Sequence, residues 1–254
     1  MSDILVARGL NKRFGGVVAA NDVNVRIARN DVVSLLGTNG AGKTTFVNMV
    51  TGYIRADSGD ITFNGSSIVG LPPRQIARLG LCRSFQIPQI FPELTVLENV
   101  VIALDTSRAG LSMLRNATTK RRDEEVRQLL TDYKLEKFID RRGSEIPGGA
   151  RKLLDVALAV ASKPTVLLLD EPTSGVSASE KFAIMDLVME ALKRTDASIL
   201  FIEHDMDIVR RYARKAIAFH EGRVLADGPV DEVLNDQAVL SHVVGKARTE
   251  PRSC

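Results

Sequence analysis

The sequence predicts an α/β domain that carries an inserted helical segment. Three observations support this: short apolar runs alternate with helical patterns, a glycine-rich loop directly follows one run, and strand signals vanish between about residues 86 and 163. With 254 residues, 44% of them hydrophobic and 26% charged, the chain can bury a sizeable core and is near the upper limit for one domain. We therefore expect a single domain over residues 1–254.

Seven short runs rich in β-branched and aliphatic residues are the predicted strands. They cover residues 4–7, 23–27, 32–36, 61–63, 165–169, 199–203 and 216–219. The runs at 165–169 and 199–203 are almost continuously apolar, which is typical of central parallel strands covered on both faces. Asn64-Gly65 and Glu221-Gly222 indicate hairpin turns, so we also expect antiparallel additions to the core.

Helical patterns replace the strand pattern in the middle of the chain. Thr95 and Glu98 have the spacing of a capping box that opens a helix, and residues 123–133 have the periodicity of another helix. We expect the α/β core at residues 1–85 and 164–245 and an inserted helical subdomain at residues 86–163. A flexible polar tail is predicted at residues 246–254.

The glycine-rich loop matches the pattern G-x-x-x-x-G-K-[S/T] at every defined position. Its glycines allow successive backbone N–H groups to face an anion, and the N-terminus of the following helix adds its positive dipole end. We predict that Lys43 reaches the β- and γ-phosphates of a nucleoside triphosphate and that the Thr44 hydroxyl binds Mg²⁺. The candidate nucleotide contacts are Gly37, Thr38, Asn39, Gly40, Ala41, Gly42, Lys43, Thr44 and Thr45.

A glycine-rich turn can also join a strand to a helix for purely geometric reasons. Here the apolar run 32–36 precedes the loop, and a helix predicted at 43–51 follows it and is stopped by Gly52. This strand and helix are the context that a phosphate loop requires, so they favour the nucleotide site.

A second motif places two carboxylates at the end of a buried strand. Asp170 and Glu171 follow the apolar run 165–169, at the carboxyl edge where open α/β sheets hold their ligands. Asp170 is predicted to hold Mg²⁺, and Glu171 to orient or deprotonate the attacking water. An Asp-Glu pair after a strand is also common in a plain surface turn, but the phosphate loop in the same chain favours the catalytic interpretation.

Composition limits the partners of the protein. The net charge of +3, from 34 basic and 31 acidic residues, is too small to indicate nucleic-acid binding. No apolar stretch approaches the roughly 18 to 20 residues of a membrane helix, and the start Met1-Ser2-Asp3 is not that of a signal peptide, so we expect a cytosolic protein unless a partner holds it at a membrane. Cys82 and Cys254 form neither a metal site nor a disulfide framework.

The combined motifs resemble the nucleotide-binding subunit of an ATP-binding-cassette (ABC) transporter over nearly the whole chain. The resemblance implies a P-loop NTPase (RecA-like) core, an antiparallel β subdomain and an inserted helical subdomain. It also implies that Phe14 stacks on adenine, which we favour over the alternative of a core aromatic residue at a strand end. Gln86 corresponds to the glutamine that senses Mg²⁺ and the attacking water, and His204 to the switch histidine that contacts the γ-phosphate.

The family's signature L-S-G-G-Q corresponds to residues 146–150, which read Ile-Pro-Gly-Gly-Ala. In the family, the signature of one subunit caps the ATP held by the phosphate loop of the other. Pro147 replaces the serine and has neither its hydroxyl nor an N–H. The helix predicted at 151–161 still directs its N-terminal N–H groups at the anion, and Gly148 and Gly149 allow close approach. We therefore expect a weakened but usable signature.

Segments outside the nucleotide-binding motifs indicate which ABC subfamily the chain resembles. Ser177 stands where the family has an aspartate and forms a capping box with Glu180. The segments 12–16, 91–99, 104–122 and 222–243 resemble the ATPases of uptake systems for branched-chain amino acids and for urea or short amides. Substrate choice in those systems belongs to other subunits.

The resemblance implies a peripheral ATPase at the cytoplasmic face of the inner membrane, with no transmembrane segment of its own. Its expected partners are a second ABC ATPase subunit, as a homo- or heterodimer, integral permease subunits and an extracytoplasmic solute-binding protein. Two alternatives remain at this point: a nucleotide-gated clamp that hydrolyses poorly because the signature is degenerate, and a soluble non-transport ABC ATPase.

Overall fold

The computed structural model describes residues 2–84, 90–108, 119–193 and 195–244. The chain divides into two compact units, one formed by Met1–Pro73 and Leu200–Cys254 and the other by Arg74–Ile199. The strands are β1 (Asp3–Phe14), β2 (Val17–Ala28), β3 (Val32–Leu36), β4 (Ser58–Phe63), β5 (Ser66–Ser67), β6 (Leu81–Ser84), β7 (Val166–Asp170), β8 (Ser198–Ile202), β9 (Lys215–His220) and β10 (Arg223–Pro229). The helices are α1 (Lys43–Val50), α2 (Pro73–Arg78), α3 (Val96–Arg108), α4 (Thr119–Asp132), α5 (Gly148–Ala161), α6 (Ala178–Lys193), α7 (Met206–Tyr212), α8 (Val230–Asn235) and α9 (Gln237–Val239), with a 3₁₀ turn at Glu136–Phe138 and a π-helical turn at Leu240–Val244.

The first unit contains an antiparallel sheet in the order β2, β1, β4, β5. Strand β2 has the alternation of a strand with one face on a core, because Val23, Val25 and Ile27 are buried and the residues between them are exposed. Strand β1 is less regular. Gly9 has φ 59°, and the register with β2 shifts between Ala7 and Leu10.

The first unit also contains the strands that carry the glycine-rich loop. Strand β3 pairs in parallel with β9, and β9 pairs antiparallel with β10. Both β3 and β9 are buried along most of their length, as their apolar composition predicts. The ring of Phe46 on α1 lies 5.6 Å from the ring of Phe219 on β9. The helix after the loop is therefore packed on the strand beside the loop.

The second unit contains the parallel pair β6 and β7, with Leu81 opposite Val166. Every residue of β7 is buried. The helices α3 to α5 belong to the same unit, and α3 begins at the predicted capping box. The Glu98 N–H donates to Thr95 Oγ1 at 3.1 Å, and the Thr95 N–H donates to Glu98 Oε2 at 2.7 Å. These hydrogen bonds from Thr95 hold the pKa of Glu98 below its usual value.

Most predicted elements are confirmed, with differences at their ends, and one strand was missed. Strands β1 and β2 are each 12 residues long, longer than the runs predicted at 4–7 and 23–27. The two hairpin turns join β4 to β5 and β9 to β10. Helix α5 begins at Gly148 with Pro147 as its N-cap, whereas the sequence suggested a helix from residue 151 with the proline in its first turn. Strand β6 was not predicted.

The domain boundaries at 85, 163 and 245 stay a prediction. The tail at 246–254 and Gln86 lie outside the described residues. Between residues 90 and 163, the described part of the chain is helical apart from loops and a bridge between Thr95 and Arg142. Within the described residues, no helix is both long enough and apolar enough to span a bilayer.

Candidate functional site

The glycine-rich loop leaves β3 at Leu36 and enters α1 at Lys43. Gly37, Gly40 and Gly42 have φ of 148°, 80° and 107°, and residues other than glycine rarely adopt these backbone angles. The loop closes on itself through the Ala41 N–H, which donates to the Thr38 carbonyl at 3.1 Å. The loop therefore has the conformation in which successive N–H groups can surround a phosphate.

Two of these glycines are also required by close packing within the first unit. A Cβ atom at Gly37 would lie 2.6 Å from the Phe219 carbonyl oxygen, and one at Gly42 would lie 2.7 Å from the Ala19 carbonyl oxygen. The Gly222 N–H donates to the Ala41 carbonyl at 2.9 Å. The loop is thus held against backbone atoms of β2 and of the turn between β9 and β10.

Lys43, the first residue of α1, is buried and crosses the loop. Its Nζ donates to the carbonyls of Gly37 at 2.6 Å and Thr38 at 3.0 Å. Its ammonium group therefore lies beside the start of the loop. Thr44 is exposed and Thr45 half-buried, both in the first turn of α1.

The second unit holds the acidic pair. Asp170 is the last residue of β7, and its side chain is only 9% exposed. Arg83 of β6, with a side chain 8% exposed, donates from its guanidinium to Asp170 Oδ2. Sequence reasoning missed Arg83. The sequence offered one indication, a charged residue inside an apolar run just before Gln86. A buried charge needs a partner of opposite charge, so this pattern could have predicted an ion pair.

Glu171 follows Asp170 directly and has φ 48°. A left-handed backbone costs a residue with a Cβ roughly 1–2 kcal/mol. Such conformations persist where the surroundings enforce them, and they cluster at functional sites. Here the positive φ turns the chain sharply at the end of β7, and Glu171 is half-buried whereas Asp170 is buried.

The signature loop precedes α5 in the same unit. Pro147 is the N-cap of α5 with φ −57° and ψ 153°, and no side chain caps the helix. The first turn of α5 contains no acidic residue. A Cβ at Gly148 would meet no heavy atom within 4 Å, and one at Gly149 would lie 3.5 Å from Ile184 Cδ1. The helix N-terminus is therefore open on the side of Gly148.

Phe14 and His204 belong to the first unit. Phe14 ends β1 next to a glycine turn, and its side chain is 50% exposed. Lys12 Nζ lies 5.4 Å from the centre of the Phe14 ring and is also paired with Asp57 at 2.6 Å. His204 is exposed and lies two residues after the end of β8. The structure thus presents both side chains at the surface rather than in a core.

An exposed aromatic residue in the second unit is held by a buried amide. Phe91 is 52% exposed, and Asn99 of α3 is 1% exposed. The Phe91 N–H donates to Asn99 Oδ1 at 2.8 Å, and Asn99 Nδ2 donates to the Phe91 carbonyl at 3.0 Å. Asn99 also donates to the carbonyls of Leu94 and Thr95. The backbone of Phe91 is therefore fixed while its ring faces solvent.

The remaining features add little to the site. Ser177 and Glu180 form the predicted capping box at α6, and hydrogen bonds from Ser177 lower the pKa of Glu180. A cavity of about 520 Å³ in the second unit is lined by residues of α3, α4 and α5 and of the loops after α5 and α6, and none of its lining residues is a predicted site residue. In the part of the chain that the structure describes, no group of three His, Cys, Asp or Glu side chains could hold a metal ion.

Comparison with known sequences gives full-length relatives. A family model described as ABC transporter matches residues 20–174. The chain is 35% identical over 251 residues to the probable branched-chain amino acid transport ATP-binding protein LivG of Archaeoglobus fulgidus, and the match covers 97% of each chain. It is 33% identical over 252 residues to the high-affinity branched-chain amino acid transport ATP-binding protein LivG of Salmonella typhimurium, covering 96% of this chain and 98% of the relative.

Comparison with solved structures gives the same result. The fold is similar to the ADP conformation of MJ1267, an ATP-binding cassette of an ABC transporter, with a TM-score of 0.81, 29% identity and coverage of 94% of this chain and 97% of that chain. It is also similar to cbiO1 from Clostridium perfringens, part of the ABC transporter complex cbiONQ, with a TM-score of 0.80, 28% identity and coverage of 94% and 93%. These similarities confirm the predicted fold class.

The packing of the loop predicts different tolerance at two of its glycines. Gly40→Ala meets no neighbour within 4 Å, so only its φ of 80° should destabilise the protein, by roughly 1–2 kcal/mol. Gly42→Ala is also strained, at a φ of 107°, and in addition its Cβ would lie 2.7 Å from a main-chain oxygen that cannot rotate away. Urea unfolding without nucleotide should therefore rank the proteins as wild type, G40A and then G42A. Equal losses in the two variants would contradict this account of the loop.

Proposed function

Because this chain belongs to the ABC transporter family, whose ATP-binding subunits hydrolyse ATP to drive transport, we propose that it energises the import of branched-chain amino acids. The observation that carries this proposal is the full-length similarity to ATP-binding proteins of branched-chain amino acid transport, combined with an intact phosphate loop and acidic pair. The two alternatives, a poorly hydrolysing clamp and a soluble non-transport ATPase, are not favoured by these relatives.

Nucleotide binding is assigned to the first unit. The loop N–H groups and the dipole of α1 would hold the β- and γ-phosphates, and Lys43 would move its ammonium group from the loop carbonyls to the phosphate oxygens. The exposed ring of Phe14 suits stacking on adenine. The nearby Lys12 is paired with Asp57, so the ring and not a free charge supports this assignment.

The metal ion is assigned to Thr44 and Asp170, with Gln86 as a further ligand or sensor. A hydroxyl and a carboxylate are hard oxygen donors, which Mg²⁺ prefers. Mg²⁺ generally takes only one or two carboxylates from the protein and completes its shell with phosphates and water, so the small set of protein donors fits it. Bound there, the ion would neutralise charge that develops on the phosphate oxygens.

Hydrolysis is assigned to Glu171 and His204. The sharp turn after β7 separates Glu171 from the buried Asp170, so one carboxylate suits the metal and the other suits a water molecule. Glu171 would orient this water or accept its proton, and exposed His204 would contact the γ-phosphate.

The signature loop is assigned to the nucleotide of a second ATPase subunit. Pro147 offers no donor, so the N–H groups of Gly148 and Gly149 and the dipole of α5 would act alone on the γ-phosphate. The absence of a side-chain cap and of acidic residues in the first turn of α5 leaves this end suited to an external anion.

Phe91 is the proposed contact with the permease. An exposed aromatic ring on a fixed backbone suits the apolar face of a short helix from a membrane subunit. We expect the protein to lie at the cytoplasmic face of the membrane through this contact, in a system that also includes an extracytoplasmic solute-binding protein.

Substitutions of Lys43 and Glu171 should affect different steps, ATP binding and ATP hydrolysis. Lys43→Ala should lose ATP binding, because the phosphate contact is gone. Glu171→Gln should retain ATP and accumulate as a nucleotide-bound dimer, because the clamp survives while hydrolysis falls by roughly 10² to 10⁴-fold. Size-exclusion chromatography with ATP, together with single-turnover assays, measures both. A Glu171→Gln protein that neither retains ATP nor dimerises, even with its partner subunit present, would refute the role given to Glu171.

A charge at Phe91 should uncouple hydrolysis from transport. Phe91→Asp should leave the ATPase activity of the isolated protein near normal and abolish uptake by the reconstituted transporter, because the apolar contact is lost. Leu79→Asp is a matched control, since Leu79 is 49% exposed in the same unit and should tolerate the charge. Full uptake in the Phe91→Asp transporter would exclude this residue from the interface.

Restoring the signature serine should raise turnover. Pro147→Ser adds a hydrogen bond to a charged phosphate, which is worth about 1.5–3 kcal/mol or roughly 10- to 150-fold if it is felt fully in the transition state. The gain should be larger in a homodimer than in a heterodimer whose other site already dominates. Pro147→Ala is the control that removes the ring without adding the hydroxyl. Unchanged turnover of Pro147→Ser in assembled complexes would show that the backbone N–H groups suffice.

A further inference from the structure

The pairing of Arg83 with Asp170 connects two strand ends in the second unit. The strands β6 and β7 run parallel, with Arg83 opposite Leu168 in register, and the guanidinium reaches the carboxylate that ends β7. Both side chains are at least nine-tenths buried. The ion pair is therefore part of the interior rather than a screened surface contact.

The charges of the Arg83–Asp170 pair affect how strongly Asp170 can bind Mg²⁺. Arginine keeps its positive charge in proteins. The guanidinium of Arg83 therefore places a permanent positive charge beside Asp170 Oδ2. A carboxylate has a second oxygen, and that atom remains the natural ligand for a metal ion. From the Arg83–Asp170 pair itself, a divalent ion would meet the attraction of one carboxylate and the repulsion of one guanidinium at short range and with little solvent screening.

We propose that Arg83 is a positioning residue that orients Asp170 and weakens its affinity for the free metal ion. This inference rests on the proposed function of Asp170 as a Mg²⁺ ligand. With Arg83 in place, the local charge of the pair is near zero, so a divalent ion gains little until the phosphates of a nucleotide add their negative charge. The metal would then bind together with the nucleotide rather than before it.

A merely structural ion pair would behave differently. If Arg83 only joined β6 to β7, removing its charge would destabilise the protein equally with and without a divalent ion. If Arg83 balances the charge of Asp170, its removal leaves a buried carboxylate with excess negative charge, and a divalent ion alone should restore part of the lost stability.

The test uses Mn²⁺, a paramagnetic probe for the Mg²⁺ site, on the full-length protein without nucleotide. Electron paramagnetic resonance of free Mn²⁺ gives its binding constant, and thermal unfolding with and without Mn²⁺ gives the linked stability. Arg83→Met should bind Mn²⁺ roughly tenfold more tightly or better, by the size of the shift that a neighbouring charge commonly causes. Its melting temperature should rise with Mn²⁺ more than that of the wild type. Arg83→Lys, which can retain a positive charge beside Asp170, should bind Mn²⁺ less tightly than Arg83→Met does.

Asp170→Asn distinguishes failure of the proposed metal-binding role of Asp170 from failure of the inference about Arg83. In the Arg83→Met, Asp170→Asn double variant, the gain in Mn²⁺ affinity should disappear, because the two residues act on the same ion. If Asp170→Asn leaves binding of Mn²⁺ with ATP unchanged, the proposed function of Asp170 is wrong. If Asp170→Asn weakens that binding while Arg83→Met leaves the affinity for Mn²⁺ alone unchanged, only the inference about Arg83 fails. Should Arg83→Met not fold, Arg83→Gln, which is uncharged but can still donate to Asp170, gives the same comparison with the same two outcomes.

Discussion

The phosphate loop depends on a close approach of backbone to backbone. Gly37 faces the carbonyl of Phe219, and Gly42 faces the carbonyl of Ala19, at distances that leave no room for a side chain. The loop is therefore shaped from outside, by β2 and by the turn after β9, as well as by its own positive φ angles. Because these supports are main-chain atoms, the N–H groups of the loop are already oriented before a nucleotide arrives, which lowers the ordering cost of binding.

The acidic pair is organised by charge and by backbone conformation. Arg83 compensates the buried Asp170, whereas Glu171 is turned away by a left-handed backbone. Two carboxylates in one site disfavour each other's ionised form. Their different surroundings are consistent with the separate roles proposed for them, Asp170 toward a cation and Glu171 toward a water molecule.

The sequence predicts the elements of this fold better than the contacts between them. The phosphate loop, the buried run that ends at Asp170 and the capping box at Thr95 are local patterns, so their residues could be assigned directly. Strand β6 escaped prediction because it is four residues long and contains Arg83, which breaks the apolar pattern. Strand β1 was underestimated because it continues past Gly9 through shifts in register. The role of Asn99 depends on the fold of residues 91–95 around one amide, which no periodicity reveals.

The hydrogen bonds from Asn99 restrict how the backbone of Phe91 can move. One amide bonds both the N–H and the carbonyl of Phe91 and lies in the first turn of α3, whose start is fixed by the Thr95 capping box. A push on the exposed ring would therefore not be absorbed by bending of the loop. Displacement of Phe91 would instead have to move the first turn of the 13-residue helix α3, to which its backbone is hydrogen-bonded.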